Sequence, residues 1–138
     1  MIFEHRLRVL FQHCDPAGIA FFGRLFEYSH EAFEELLRSR GTPLDEVIRS
    51  GAGAPLVHAE ADFLRPLRHG MLVRVQLFRG KLSERSLRLD ALLCDEAGAI
   101  CARVAQVHAG LDLRSGRGAP LPRALAEALE SLDPTPAA

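Results

Sequence analysis

One stretch of this chain is long and periodic enough for a helix of several turns. Between Phe22 and Leu37 the apolar residues Phe22, Leu25, Phe26, Phe33, Leu36 and Leu37 recur at helical spacing, while Glu27, Glu31, Glu34 and Glu35 fall largely elsewhere. Arg38 and Arg40 suit the negative pole of the helix dipole. Gly41 followed by Pro43 is a stop signal, so the helix ends near residue 40. A stripe of three phenylalanines and three leucines is enough for one helix packed on one sheet.

The remaining pattern is strand-like. Phe3, Leu7, Val9 and Phe11 alternate with Glu4, Arg6 and Arg8, which predicts a half-buried strand ending at Gln12. Beyond a polar, glycine-rich passage around residues 49 to 53, four runs follow at about 55–65, 71–80, 85–94 and 99–111. Arg68-His69-Gly70, Lys81-Leu82-Ser83-Glu84 and Asp95-Glu96-Ala97-Gly98 divide them, and such short connections predict an antiparallel meander. The alternation in Val73-Arg74-Val75-Gln76-Leu77 and in Leu87-Arg88-Leu89-Asp90-Ala91 leaves one face polar and the other to be buried by the helix. The expected fold class is therefore α+β, one helix on about five strands. At 138 residues the chain is read as a single domain, with a core over about 3–112 and a tail over about 113–138. In that tail Leu121, Leu125, Leu129 and Leu132 give a weak helical pattern, and residues 133–138 are expected to be frayed.

A net charge of −1 excludes the basic excess needed for a nucleic-acid backbone or an anionic membrane, so an anionic ligand must meet local arginines. The N-terminal stretch lacks the apolar core of a secretory signal and no run approaches the length of a spanning helix, which places the protein in the cytoplasm. Cys14, Cys94 and Cys101 are odd in number and lack metal-ligand spacing, so reduced and mostly buried thiols are expected, with no metal and no redox cofactor.

Between the first strand and the helix lies His13-Cys14-Asp15-Pro16-Ala17-Gly18, the chemistry of a turn or single helical turn in which Asp15 would serve as a cap. The whole segment Phe11-Gln12-His13-Cys14-Asp15-Pro16-Ala17-Gly18-Ile19-Ala20-Phe21-Phe22 resembles the signature of the 4-hydroxybenzoyl-coenzyme A thioesterase family. The stretch Pro55-Leu56-Val57-His58-Ala59-Glu60-Ala61-Asp62-Phe63-Leu64-Arg65-Pro66-Leu67 resembles the family's second strand, most closely in the branch that includes 1,4-dihydroxy-2-naphthoyl-coenzyme A thioesterases. With His30-Glu31-Ala32-Phe33-Glu34 in the helix, the likeness covers roughly residues 3 to 110. It implies a hot-dog fold, in which the sheet wraps one central helix. It also puts Asp15 at the catalytic carboxylate and points the Phe22 backbone N–H at the thioester oxygen. Many relatives acting on short-chain acyl groups carry a histidine where Phe22 stands, so the resemblance favours an aromatic acyl group.

Thioester hydrolysis needs a group that attacks the carbonyl carbon or activates water, and donors that hold the charge forming on its oxygen. The Asp15 carboxylate can attack directly or act as general base. The helix start can supply main-chain donors at Phe22 and, more weakly, Gly23, with Gly18 shaping the backbone. Phe11, Phe21, Phe22 and Phe26 are most simply core, although some of them can wall an aromatic site. His58 can line the pocket, and Glu31 can reach a site in a second subunit. Arg65, Arg68, Lys81, Arg85 and Arg88 are the candidates for the coenzyme A phosphates, Arg65 and Arg85 foremost. Cys14 as nucleophile lacks a histidine at a telling distance.

The expected assembly is a homodimer at least, a tetramer by family likeness, because a lone sheet of this kind leaves open edges. Other readings are a thioesterase for short or medium aliphatic acyl groups on coenzyme A or an acyl carrier protein, and a non-catalytic acyl-coenzyme A binding or scaffold protein. A hot-dog dehydratase would need a histidine near the site, and neither Ala20 nor Phe22 supplies one.

Overall fold

In the computed structural model, which describes residues 1–137, the chain forms β1 (Phe3–Arg8), α1 (Phe22–Ser39), α2 (Leu44–Arg49), β2 (Ala52–Gly53) and β3 (Leu56–Phe63). It continues through β4 (Leu72–Leu82), β5 (Ser86–Cys94), β6 (Ile100–Ala109), β7 (Leu111–Asp112) and α3 (Arg123–Glu130). Five strands make one antiparallel sheet in the order β1-β4-β5-β6-β3, and β2 pairs with β7 in a small ribbon. The long helix lies in the curve of this sheet, the hot-dog arrangement implied by the resemblance.

The expected meander holds for β4, β5 and β6 but not for the strand before them. β3 crosses to the far edge and pairs with β6, Phe63 opposite Ala102 and Ala61 opposite Val104, while β1 takes the place beside β4. The connection over residues 64–71 is no tight turn, and a stretch of that length spans well over the roughly 14 Å of three strand spacings.

The helix-facing side of the sheet presents Val73, Val75, Leu77, Leu87, Leu89, Ala91, Leu93, Ala102 and Val104, all buried. From α1 they receive Leu25, Tyr28, Ala32, Phe33, Leu36 and Leu37. One polar pair sits inside this core: the Ser29 hydroxyl donates to Gln106 Oε1 at 2.7 Å, both residues buried. The predicted stripe thus shifts. Phe33, Leu25, Leu36 and Leu37 are core, Phe26 packs against it partly buried, and Phe22 is 59% exposed, its ring set against Phe21 and Phe63 rather than in the core. Phe11 and Phe21 are also solvent-facing rather than core, at 79% and 51% exposure. The first strand stops at Arg8, and Phe11 opens a 3₁₀ turn, Phe11–His13.

The tail is more ordered than its composition predicts. α3 buries Leu125, Ala128 and Leu129 against the same core. Of the residues expected to fray, Asp133 and Thr135 are hydrogen-bonded, and residue 138 lies outside the described residues: Arg79 N–H donates to Asp133 O, Thr135 N–H to Arg79 O, and the Thr135 hydroxyl to Asp90 Oδ2. β1 pairs with β4 only as far as Phe3 opposite Leu77, so Arg79 has free edge groups that the tail completes. β3 has one open edge, flanked by exposed Leu56, Val57, Phe63 and Leu64. Among the described residues no helix is long and apolar enough to cross a membrane.

Candidate active site

Asp15 is set by its own turn. Gly18 N–H donates to Asp15 O at 3.0 Å, and the side-chain Oδ1 accepts from Ala17 N–H at 2.9 Å and Ile19 N–H at 3.3 Å. An aspartate is suited to this because its short side chain caps the backbone two residues on. Gly18 closes the turn at φ +76°, a conformation that costs an L side chain about 1–2 kcal/mol. Asp15 N–H in turn donates to Ile19 O at 2.9 Å, and Cys14 bridges Ala20, so the loop is a small folded ribbon. Oδ1 is thereby occupied, while Oδ2 has no partner among the described residues. The cap expected from the aspartate–proline pair is present, and it leaves one carboxylate oxygen free.

The loop is fixed on both sides. Ala20 N–H donates to Leu67 O at 2.7 Å and His69 N–H to Gly18 O at 3.1 Å, which binds it to the connection after β3. Phe21 N–H donates to His13 O at 2.8 Å, which brings the chain round into α1. No side chain caps that helix. Arg24 N–H already turns back to Phe21 O, which leaves the Phe22 and Gly23 N–H groups without a partner among the described residues. The first of these residues, Phe22, lines a cleft together with Asp15, at the positive end of an eighteen-residue helix.

That cleft, of about 400 Å³, is lined by Asp15, Ile19, Ala20, Phe21, Phe22 and Leu25 on one side and by residues 63–67 on the other. Its walls are aromatic. The Phe21 and Phe22 ring centroids lie 4.5 Å apart, and Phe22 meets Phe63 edge-on at 6.4 Å. Arg65 stands in the same wall, held by its N–H to Cys101 O at 3.0 Å. Neither Arg65 nor Arg68 makes an ion pair among the described residues, so both guanidinium groups are available to an anion.

Asp15, Phe21, Phe22 and Arg65 are thus brought together, with Gly18 and Gly23 in the backbone that frames them. Other candidates lie elsewhere in their own chain. Phe26 packs on the core and does not reach the cleft. Glu31 is two and a half turns along α1, its Oε2 2.6 Å from His5 Nε2. His58 points to the sheet face away from the helix, 3.7 Å from Glu60. Arg88 is on that same face and already paired, 2.9 Å from Glu60 and 3.0 Å from Asp90. Arg85 and Lys81 sit at the opposite end of the sheet. Arg85 O accepts from Gly110, whereas Arg65 is tied to Cys101, and the strand between spans roughly 30 Å. The cysteines are free, and burial pushes the Cys94 and Cys101 thiols up. Cys14, half-buried, turns its sulfur to Leu10 O at 3.5 Å. No cluster of metal-binding side chains occurs among the described residues.

Three features escaped the sequence reading. Phe63 and Leu64 line the cleft from an edge strand that gives no local sign of it. Tyr28, at a helical spacing of its own, reaches His13 at the base of the Asp15 loop. His108 is buried under α1, its Nδ1 2.8 Å from Ala54 O and its Nε2 unpartnered among the described residues.

The sequence matches the thioesterase-like superfamily over residues 9–129. It is 31% identical over 133 residues to a 1,4-dihydroxy-2-naphthoyl-CoA hydrolase of Synechocystis sp., covering 95% of this chain and 96% of the relative. A second hydrolase of that name, from Thermosynechococcus vestitus, is 30% identical over 129 residues, with 93% and 88% coverage. Among solved structures, a 1,4-dihydroxy-2-naphthoyl-CoA thioesterase from Synechocystis superimposes with a TM-score of 0.87 at 29% identity, covering 96% of this chain and 98% of that one. A gentisyl-coenzyme A thioesterase superimposes with a TM-score of 0.81 at 25% identity, covering 91% and 98%.

Proposed function

We propose, from the premise that this chain belongs to the thioesterase-like superfamily, that it hydrolyses the thioester of an aromatic acyl-coenzyme A, with Asp15 as the reacting carboxylate. The observation that carries the reading is the pairing in one cleft of a half-free carboxylate with unpartnered N–H groups at a helix start. The relatives supply the substrate class: proteins similar over nearly the whole chain are named 1,4-dihydroxy-2-naphthoyl-CoA hydrolases. Three phenylalanine rings around the cleft suit a planar acyl group, which packs edge-on or offset against them.

In this reading the acyl ring packs against the Phe22 and Phe63 rings, and the carbonyl oxygen meets the Phe22 and Gly23 N–H groups. Asp15 Oδ2 attacks the carbonyl carbon, or takes a proton from a water that does. Negative charge collects on the carbonyl oxygen, where the two donors and the helix dipole stabilise it. The carbon–sulfur bond then breaks and coenzyme A leaves as the thiolate, which takes up a proton. On the direct route a second water opens the acyl–Asp15 anhydride and regenerates the carboxylate. Either way one water is consumed, and an acid and a thiol are released.

Arg65 and Arg68, beside the cleft and unpaired among the described residues, suit the phosphates of coenzyme A. Arg85 and His58 enter only through assembly. The open edge of β3, with exposed Leu56, Val57, Phe63 and Leu64, suits antiparallel pairing with a second copy. A two-fold pairing of that kind sets the Leu56 end of one β3 beside the Phe63 end of the other, so the sheet end carrying Arg85 approaches the other copy's cleft. The unit is then a homodimer at least. Three free thiols accord with a reducing cytoplasm.

Release of free thiol from a panel of acyl-coenzyme A compounds tests the proposal. Benzoyl- and naphthoyl-type thioesters should be turned over with a higher kcat/KM than acetyl to octanoyl ones. No thiol release from any of them at high enzyme concentration would remove the activity and leave a binding protein.

A further inference from the structure

One ring nitrogen at the base of the Asp15 loop reaches α1, beside the bond that Arg24 Nη2 donates to Gln12 O at 3.3 Å. His13 Nδ1 lies 2.8 Å from Tyr28 Oη and 3.1 Å from Leu10 N. The two rings meet edge-to-face with centroids 5.3 Å apart. A backbone N–H only donates, so Nδ1 carries its lone pair and the ring proton is on Nε2. The Tyr28 hydroxyl is then a second donor to the same nitrogen. Tyr28 is 3% exposed, and burial pushes its hydroxyl up to about 12, so it keeps its proton throughout the neutral range. Cys14, Arg24, Glu27 and Glu31 are the titratable or charged groups around it, none in place of His13 as its partner.

His13 also acts through its backbone. Its carbonyl accepts the Phe21 N–H at 2.8 Å, the last bond before the unpartnered donors of Phe22 and Gly23. One residue therefore holds Leu10 and Tyr28 with its ring and the helix start with its carbonyl, and Asp15 follows two positions on. Neither His13 nor Tyr28 lines the cleft.

We infer that His13 and Tyr28 are a positioning pair that sets the distance between the Asp15 carboxylate and the Phe22 N–H, the two halves of the reacting site. The inference rests on the role proposed above for Asp15. The alternative is a buried tyrosine that has merely found an acceptor, which would matter for stability alone. The two differ in what they predict. A displacement of about 1 Å between reacting groups costs on the order of a hundredfold in rate without touching the bulk of the binding surface. A loss of stability alone leaves the rate of the folded enzyme unchanged.

The test compares His13→Leu, His13→Asn and Tyr28→Phe in the full chain, with kcat and KM for the best aromatic thioester and with amide hydrogen exchange over residues 10–20. Asparagine Oδ1 occupies nearly the place of histidine Nδ1 and accepts the same bonds, whereas leucine has the shape without the acceptor. His13→Leu and Tyr28→Phe should lower kcat of the folded enzyme by about ten- to a hundredfold at nearly constant KM. The same variants should speed exchange at the Asp15, Gly18 and Ile19 amides, and His13→Asn should restore both readings to within a few-fold. Adding His13→Leu to Asp15→Asn should cost no further rate, since a positioner has nothing left to position. Unchanged kcat in both His13→Leu and Tyr28→Phe, or an asparagine variant as impaired as leucine, overturns the pair. Should the wild-type chain cleave no thioester at all, the proposed activity fails, and exchange alone decides the pair: no acceleration at Asp15, Gly18 and Ile19 overturns it.

Discussion

Replacing Phe22 with proline isolates one backbone donor. Phe22 is the first helical residue of α1, where a proline is tolerated because that N–H has no intrahelical partner. The preceding residue must be extended for a proline to follow, and Phe21 already is, at φ −58° and ψ 137°. The fold should therefore accept Phe22→Pro with little change in Tm. The substitution removes the ring as well as the N–H, so the reference is Phe22→Ala, which removes the ring alone. The difference between the two reports the donor. Loss of one oxyanion donor costs about 2.7–4 kcal/mol of transition-state stabilisation, and at about 1.36 kcal/mol per decade kcat should fall about 10²- to 10³-fold between alanine and proline. The assay is thiol release at saturating aromatic acyl-coenzyme A, alongside thermal unfolding of both variants. Equal kcat in two folded variants would refute the assignment of the oxyanion to the Phe22 N–H.

Other consequences are as direct. Phe63→Ala removes one wall of the cleft and should lower kcat/KM for aromatic thioesters by about two- to tenfold, the worth of one aromatic pair, and affect aliphatic ones less; steady-state kinetics on both substrate types checks it. Ser29→Ala leaves Gln106 Oε1 buried without its donor and should cost about 1–3 kcal/mol in urea unfolding, most of it recovered in the Ser29→Ala/Gln106→Leu double variant. His108 donates Nδ1–H to Ala54 O beneath Phe33 and His30, and burial holds its pKa below the ordinary 6.5. The unfolded chain thus binds this proton first. The His108 contribution is fully present above about pH 6.5 and is lost as pH falls from there through the lower pKa of the folded state, with a slope of at most about 1.4 kcal/mol per pH unit; His108→Phe should flatten that part of the urea midpoint's pH dependence.

The long helix was legible because its signal is local: apolar spacing, terminal arginines and a glycine–proline stop bound α1 to within a residue or two of Phe22–Ser39. The Asp15 turn was legible for the same reason, since aspartate, proline and glycine each act on their own backbone. Strand partners are another matter. Nothing in residues 56–63 reports that they pair with β6 rather than β4, because both pairings satisfy the same alternation. The buried face of α1 also holds residues that apolar periodicity leaves out, because their polar atoms find distant partners, Ser29 at Gln106 and Tyr28 at His13. Phe11, Phe21 and Phe22 failed in the opposite direction. Their hydrophobicity signals core, yet all three are exposed, Phe21 and Phe22 in the wall of a cleft that only the folded chain encloses and Phe11 against His69. Residues 133–138 looked frayed from their prolines and alanines, yet Asp133 and Thr135 are held by edge groups of Arg79 that β1 leaves unpaired.

The central claim is that the free oxygen of the Asp15 carboxylate does the chemistry. Asp15→Asn is close to isosteric, and its Oδ1 can still accept from Ala17 and Ile19, so the loop should persist. With aromatic acyl-coenzyme A as substrate, kcat should fall by at least about 10²–10⁴-fold while Tm and KM stay near those of the wild type. A folded Asp15→Asn protein that releases thiol at the wild-type rate would contradict the account.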